Sequence, residues 1–217
     1  FKGRNFADSH VSIDAVRGTN KAVYQNGNSV ETTQTHYFTS FDSDGYTLGN
    51  SGIMNGSSKT YASWNWKAGG GAGSSNTDGS INTTSTSVNT TAGFSISTYT
   101  GNGTAGATVG HGLGAVPSMI IVKVRNTSNN WAVYHKDLGA TDKYLVLNTT
   151  AARASASNIW GAGAFPFQTS RVFGIKSGTT CAASQDVIAY CWHDVPGLQK
   201  FGNYVANGSA DGNFIEL

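Results

Sequence analysis

Apolar and polar residues alternate along several short stretches of the chain. In FSISTYT (residues 94–100), Phe94 and Ile96 alternate with Ser95 and Ser97, which is the pattern of a half-buried strand. SMIIVKVR (residues 118–125) begins as a continuous apolar run and then alternates, which suits a central strand that emerges into water. Four further stretches have the same character: NWAVYHK, KYLVLN, RVFGI and VIAYCW. Glycine- and asparagine-rich turn signals recur roughly every 8 to 15 residues and no stretch keeps a convincing helical period, so the pattern predicts an all-β protein.

Two stretches far apart in the chain, FKGRN (residues 1–5) and VKVRN (residues 122–126), begin the same series of features. Each is followed by alternating apolar residues, a glycine-containing turn, a lysine and a strand that ends in asparagine. The matching pairs are Gly18 with Gly139, Lys21 with Lys143, and Asn26 with Asn148. Further on, GYTLG matches RVFGI, and residues 61–67 match the region of residues 188–194 when Trp66 is placed on Trp192. Ordered matches of this kind predict a repeated module.

A second match indicates where a module begins. GFSISTYTGNGTAGATV (residues 93–109) resembles KFGNYVANGSADGNFIEL (residues 200–217), with Tyr99 on Tyr204, Asn102 on Asn207 and Gly103 on Gly208. We therefore predict tandem β-sandwich-like modules: the rear part of one at residues 1–67, a complete one at residues 93–200, and the first strands of a further one at residues 201–217. Since Phe1 lies inside a predicted strand, we expect a fragment or a processed chain without a signal peptide.

Residues 68–92 separate the first two predicted units. The stretch is rich in Gly, Ser, Thr and Asn and is nearly uncharged. Such a composition is typical of a flexible linker. Its threonines and valine equally favour an extended, strand-like arm. The sequence leaves both alternatives open.

The composition excludes several partners. Charged residues make up 12% of the 217 residues and the net charge is +2, so there is no field that would attract nucleic acid. No apolar run approaches the roughly 18 residues of a membrane helix, so we expect no membrane insertion. The polar character comes instead from Ser, Thr, Asn and 28 Gly, which suits short strands joined by turns.

The residues that usually carry catalysis or bind metals are scarce. Glu31 and Glu216 are the only glutamates, most aspartates sit beside turn residues, and no pair of carboxylates suggests a glycosidase. The five histidines have no metal-binding spacing. Cys181 and Cys191 cannot form a zinc site by themselves; they are either two free thiols or, by spacing, a disulfide. We expect no catalytic residues, no metal, no cofactor and no enzymatic activity.

The five tryptophans are the most informative side chains. Packing in cores and between modules is the interpretation we favour for them. The alternative is a platform on which a sugar ring stacks. Trp160, within NIWGAG, is the best candidate for an exposed loop position. The candidate glycan contacts are therefore Trp160, Trp131 and Asn158.

Several stretches together resemble a module repeated in large virion proteins of tailed phages, especially phages of marine cyanobacteria and other marine bacteria. They are YTGNGTAGATVGHGLGAVPSMIIVKVRN, NWAVYHKDLG, KYLVLN and VIAYCWHDVPGLQKFGNYVANG, and SFDSDGYTLG in the first unit. The resemblance covers residues 93–217, and the rear half of the module covers residues 1–67. It implies a tail-fibre-like or lectin-like protein at the virion surface, hence extracellular. It carries no catalytic residues.

These observations predict a structural and adhesive component of a phage fibre or similar filament. Its partners would be further copies of itself and other virion proteins. The alternative is a discrete carbohydrate-binding module for host-surface glycans; an enzyme is the weakest reading. Unpaired strand edges seek partners, so residues 201–217 could add to the sheet of a neighbouring subunit. The residues of this predicted inter-subunit strand are Phe201, Tyr204, Phe214 and Ile215.

Overall fold

The structure is a computed structural model that describes residues 1–161, 163, 167–212 and 214. Within these residues the protein is all-β, with no α-helix and one short 3-10 helix at Lys136–Leu138. The first seven strands are β1 (Lys2–Gly3), β2 (Val11–Asp14), β3 (Gly18–Tyr24), β4 (Thr32–Thr33), β5 (Phe38–Phe41), β6 (Tyr46–Leu48) and β7 (Tyr61–Ala62). The others are β8 (Ser85–Asn89), β9 (Phe94–Thr100), β10 (Thr108–Gly110), β11 (Met119–Val124), β12 (Ala132–His135), β13 (Lys143–Val146), β14 (Ala154–Ser155), β15 (Val172–Gly174) and β16 (Asp186–Trp192).

The largest element is a seven-stranded antiparallel sheet, here called the large sheet, with the order β14-β13-β12-β11-β16-β9-β8. Its longest strands lie at the centre because their apolar residues can be buried on both faces. One face, called the inner face, packs beneath the β10–β15 pair and forms the main core. Alternate residues of the central strands point into this core: Ile120, Val122 and Val124 of β11, and Val187, Ala189 and Cys191 of β16.

The N-terminal part, residues 1–67, builds a smaller set of sheets around its own apolar core. Phe1 and Val11 exchange backbone hydrogen bonds of 2.8 and 3.0 Å, so β2 runs alongside the start of β1. The strands then follow the order β4-β3-β2-β1-β7. The large sheet contains the same succession as β14-β13-β12-β11-β16.

The pairing register is also the same in the two parts. Lys2 lies opposite Ala62, as Lys123 lies opposite Ile188. In the neighbouring hairpins the corresponding pairs are Val11 with Tyr24 and Ala132 with Val146, and the outer strands pair Lys21 with Thr33 and Lys143 with Ser155. A slip of one residue in either part would turn its apolar face outward, so agreement across three strand pairs reflects one folding pattern used twice.

One turn is reproduced down to its side-chain hydrogen bonds. The side chain of Asn5 donates to the carbonyl of Ser58 at 3.3 Å, and that of Asn126 donates to the carbonyl of Ser184 at 3.1 Å. These two serines are the non-glycine residues with positive φ in the described chain, at 60° and 61°. The asparagine that ends both FKGRN and VKVRN therefore holds an otherwise strained turn before the next strand.

A matched pair of glycines gives a first testable expectation. Gly18 and Gly139 have φ of 87° and 85°, and no atom lies within 4 Å of where a Cβ would stand. Because only backbone strain opposes a side chain there, Gly139→Ala should lower the free energy of unfolding by about 1–2 kcal/mol. Urea denaturation of the variant measures this change. The control is Gly52→Ala, equally open but without positive φ; an equal loss in the control would refute the reason given.

Residues 68–92 lie against the large sheet rather than apart from it. Ser74 bridges to Thr86, Ile81 bridges to Val109, and residues 85–89 form the edge strand β8 beside β9. The predicted boundary at residue 93 therefore falls inside a hairpin, and for this last third the flexible-linker alternative is wrong. The sequence signal was weak because β8 (STSVN) buries hydroxyl groups instead of alternating apolar residues.

The strands expected within residues 201–217 do not appear in the residues that the structure describes there, 201–212 and 214. The segment is mostly exposed, with Tyr204 at 67% and Phe214 at 90%. A strand needs a hydrogen-bonding neighbour, and none of the described strands lies alongside this segment. Ile215, the last residue of the predicted inter-subunit strand, lies outside the described residues.

Candidate functional site: a buried polar interface and an exposed strand edge

The outer face of the large sheet, opposite the main core, is covered by the N-terminal part. Phe94, Ile188 and Trp192 on this face form a third apolar cluster, against which Val16 packs. Trp66 also reaches this cluster, with its ring centroid 5.7 Å from that of Trp192. The contact between residues 1–67 and the outer face, here called the interface, therefore has an apolar half at this end of the sheet.

The other half of the interface is polar and centres on Arg17. Its guanidinium contacts Asp14 at 2.6 Å and Glu31 at 3.1 Å, and all three side chains are largely buried. From the large sheet, the Tyr190 hydroxyl donates to Asp14 Oδ2 at 2.7 Å. The turn after β2 sets this geometry, because Asp14 Oδ1 accepts the backbone N–H of Arg17 at 3.0 Å. Arg17 thus pairs with two carboxylates of its own part of the chain, and Asp14 also accepts a hydrogen bond from the large sheet.

The electrostatics of this cluster follow from burial and charge together. Burial alone would lower the pKa of Arg17, but neighbouring Tyr190 and Asp14 outweigh it and raise the pKa above the usual value. Burial also raises the pKa of Tyr190, so its hydroxyl stays protonated and donates. Arg17 therefore remains a cation over the ordinary pH range. Its role is structural rather than acid–base.

Glu31 extends the network to a second arginine, Arg125, which follows β11 of the large sheet. Its carboxylate accepts hydrogen bonds from Arg125 Nη1 at 3.2 and 3.3 Å, while its own backbone N–H donates to the carbonyl of Arg125 at 2.8 Å. Glu31 thus contacts Arg17 and Arg125, which belong to opposite sides of the interface. Such pairing of buried charges favours one docking geometry over others, because a displaced arrangement would leave charges unpaired.

Lys123 is the other buried cation of the interface. Its side chain is inaccessible to solvent, and its Nζ donates to the carbonyl oxygens of Asn28 at 3.0 Å and Asn129 at 2.7 Å. Asn28 belongs to the N-terminal part, so the lysine joins the two sides. Its Nζ has no carboxylate acceptor among the described residues, and burial lowers its pKa to about 8.

Trp131 also belongs to the polar half of the interface. The indole is fully buried, lies nearly parallel to Tyr190 with ring centroids 6.5 Å apart, and donates from Nε1 to the carbonyls of Tyr24 at 2.9 Å and Gly27 at 3.2 Å. Tyr24 is the last residue of β3, and Gly27 lies in the turn that follows it. The tryptophan therefore combines a large buried apolar area with a satisfied polar group, as interfaces often require.

The lowered pKa of Lys123 predicts that stability depends on pH. The folded protein releases this proton near pH 8, whereas an unfolded lysine has a pKa of about 10.4. Between these values the unfolded chain binds more protons, so the free energy of unfolding should rise with pH, by at most about 1.4 kcal/mol per pH unit. Urea denaturation between about pH 8 and pH 10 measures this slope.

Two variants isolate the lysine from other groups that titrate in the same range. Lys123→Met should lose this part of the slope, while Lys67→Met, at an exposed position, should keep it. If both variants retain the slope of the parent protein, Lys123 does not cause it.

The candidate glycan contacts do not form one surface. Trp160 and Trp131 are both 0% exposed, so the expected exposure of Trp160 is wrong and neither indole can stack on a sugar. Trp160 bridges to Ile175 and packs edge-to-face on Tyr134 in the main core, whereas Trp131 lies on the outer face. Asn158 is exposed. The surrounding glycines indicated a loop correctly but carried no information about what packs on the indole.

The exposed tryptophans are Trp64 and Trp66, at 63% and 52%. They follow β7, the outermost strand of the N-terminal part. Neither was among the predicted glycan contacts, although their alternation with Ser63, Asn65 and Lys67 was a usable signal. Residues 202–204 are exposed as well.

A shallow cleft of about 300 Å³ lies between residues 115–118 and residues 193–194. Lys136 and Asp194 form an ion pair at its wall. Although burial opposes it, hydrogen bonds from Lys136 and from the backbone N–H of Phe201 hold the pKa of Asp194 below its usual range. An aspartate held ionised in this way positions the chain at Phe201 and is unsuited to act as a general acid.

Other chemistry was sought in the described part of the chain. No three His, Cys, Asp or Glu side chains there lie close enough to share a metal ion. Cys181 and Cys191 are buried free thiols, so the disulfide alternative is wrong. None of the described helical residues forms a span long and apolar enough to cross a membrane.

The sheets and the interface define an all-β protein in which two sets of strands share one folding pattern and pack through a buried polar contact. The chain belongs to the family described as Domain of unknown function (DUF7483), which matches residues 1–217. No curated protein and no solved structure matches it.

Proposed function

We propose that this chain is a structural and adhesive segment of a fibre protein at the surface of a phage virion, built from tandem β-sandwich-like modules that assemble with neighbouring copies. The observation that carries the proposal is the recurrence of strand order and register between residues 1–67 and the large sheet. Units that repeat one fold and pack on their neighbours are the elements of extended arrays. The resemblance to repeated virion modules supports the location.

The interface is consistent with a mechanical role in a fibre. A fibre must keep a fixed angle between successive units, and a flexible contact would not do so. Arg17, Lys123 and Trp131 each make polar contacts across the interface, Arg17 with Tyr190, and these contacts favour one angle. The exposed surface is left with few charges and many hydroxyl and amide groups, which suits packing against further subunits or glycans.

Sedimentation velocity and negative-stain electron microscopy of the purified chain test the proposal. We expect fixed oligomers or regular filaments whose fraction increases with protein concentration. A monodisperse monomer at every concentration would overturn the assembly part of the proposal.

A second candidate function, binding of host-surface glycans, is favoured by the exposed indoles of Trp64 and Trp66 beside Asn65. An exposed tryptophan next to an amide is suited to stacking on a sugar face while donating hydrogen bonds to its hydroxyl groups. A glycan array should then show binding that Trp64→Ala removes and Val116→Ala, at another exposed apolar position, leaves intact. Binding unaffected by Trp64→Ala would exclude this site.

A further inference from the structure

Residues 201–204 correspond in sequence to part of strand β9 of the large sheet. Tyr204 corresponds to Tyr99 of β9. The turn that follows has the same geometry in both places. Asn102 Oδ1 accepts the N–H two residues further on at 2.9 Å, Asn207 Oδ1 does the same at 3.0 Å, and the glycine between has φ of 75° and 68°. The segment 201–204, here called the donor segment, is thus followed by the turn of β9 but has no strand beside it among the described residues.

The edge to which the donor segment could add is the outer edge of β7, the edge that does not contact β1. In the large sheet, β16 pairs with β11 on one side and with β9 on the other. In the N-terminal part β7 pairs with β1 in the corresponding register, and no described strand lies on its other side. Residues 64–67 continue this edge and are exposed. The edge therefore presents the place that β9 occupies on β16.

We propose that the donor segment of one copy of this chain adds to the outer edge of β7 in a second copy, antiparallel and in the register of β9 on β16. Thr98 lies opposite Ile188 and Tyr99 opposite Val187 in the large sheet. The same register places Asn203 opposite Ala62 and Tyr204 opposite Tyr61. This inference rests on the proposed assembly of the protein and names the contact that makes it.

The arrangement within one chain favours a second copy as the occupant. Phe201 and Trp66 both reach the apolar cluster at the ends of β9 and β16 of their own chain, so the two segments start close together. Nevertheless the donor segment does not pair with β7 in the folded chain. Phe201 is held in its present course because its N–H donates to Asp194 Oδ1 at 2.9 Å. Addition to a neighbour pairs both edges at once and repeats from copy to copy, which produces a linear assembly.

Disulfide trapping between two single-cysteine variants tests the register. Ala62→Cys and Asn203→Cys are purified separately, mixed and oxidised, so that a mixed dimer reports only contacts between copies. The adjacent pair, Ser63→Cys with Gly202→Cys, is tested as well. In an antiparallel ladder only every second pair of opposite residues has closely spaced side chains, so one of the two cysteine pairs should have the short separation. Cys181 and Cys191 are buried and do not compete. The control combines Ala62→Cys with Ser209→Cys, exposed but out of register.

We expect one of the two in-register pairs to form the mixed dimer at least about fivefold faster than the control, since a disulfide requires close Cβ atoms. We also expect Tyr204→Pro to shift the sedimentation profile toward monomer. Tyr204 takes the place of Tyr99, whose N–H faces β16 because the backbone of the preceding Thr98 bonds to Thr84 on the β8 side, so proline at 204 removes a donor of the proposed pairing. Oligomers that persist in Tyr204→Pro and trap no faster than the control would overturn this contact while leaving the proposed assembly intact. A parent protein that is monomeric and traps no pair would overturn both.

Discussion

Replacing Arg17 with methionine is expected to lower the free energy of unfolding by about 3–5 kcal/mol, the range for removing one member of a buried ion pair. The variant leaves the carboxylates of Asp14 and Glu31 buried without their main cation, and Tyr190 loses a neighbour. Methionine has a similar length and fills much of the space, so the loss reports charge more than volume. Urea denaturation followed by circular dichroism measures the change.

The chain offers a matched control in its exposed Arg171–Asp78 pair, in which the arginine side chain is 73% accessible. Arg171→Met should leave the free energy of unfolding nearly unchanged, because exposed ion pairs are weak. Equal effects of the two substitutions would mean that the burial of Arg17 does not matter. A loss of less than about 1 kcal/mol in Arg17→Met would contradict the role given to the cluster.

Trp131→Ala is expected to destabilise the protein by a similar amount, about 3–5 kcal/mol, as large-to-small changes of buried tryptophan do. The substitution removes the contact with Tyr190 and leaves the carbonyls of Tyr24 and Gly27 without their donor. Trp131→Phe should lose less, since it retains much of the buried area and removes only the N–H. Calorimetric melting of the three proteins measures the order.

Trp64→Ala serves as the control for this substitution, because Trp64 is 63% exposed and Trp131 is fully buried. It should leave the melting temperature nearly unchanged. Were Trp131→Ala as harmless as Trp64→Ala, the interface would not stabilise the fold, and the rigid arrangement on which the fibre proposal depends would lose its support.

Arg17 and Trp131 lie on opposite sides of the same interface. Arg17 lies in the turn between β2 and β3, whereas Trp131 lies just before β12 in the large sheet. Residues in direct contact or sharing partners are coupled, and Tyr190 contacts both side chains. We therefore expect the double variant to lose less stability than the sum of the single losses. Such coupling would identify the interface as one cooperative unit.

Local patterns predicted the strands whose apolar residues alternate. The central strands β9, β11 and β16 coincide with FSISTYT, SMIIVKVR and VIAYCW. The stretch that contains β8 stayed ambiguous between a linker and a strand-like arm, because its buried residues Thr86 and Ser87 carry hydroxyl groups that are also typical of a polar linker.

The candidate site was harder to predict than the strands. The glycines around Trp160 indicate a loop. The burial of its indole depends on residues from distant parts of the chain that pack against it, and the neighbouring sequence gives no information about them. The Arg17 cluster joins residues up to 176 positions apart in the chain, through the hydrogen bond from Tyr190 to Asp14. No local spacing rule connects such positions, so the cluster was invisible as a motif.

The sequence by itself determined the all-β class, the central strands and the recurring positions such as Gly18 with Gly139 and Asn5 with Asn126. These depend on period-two alternation and on backbone conformations that few residue types adopt, and both are local properties. Only the tertiary structure decided which faces meet: the burial of Trp131, Trp160 and Lys123, and the exposure of Trp64 and Trp66. Burial is a property of packed surfaces from distant parts of the chain, and so no local pattern could decide it.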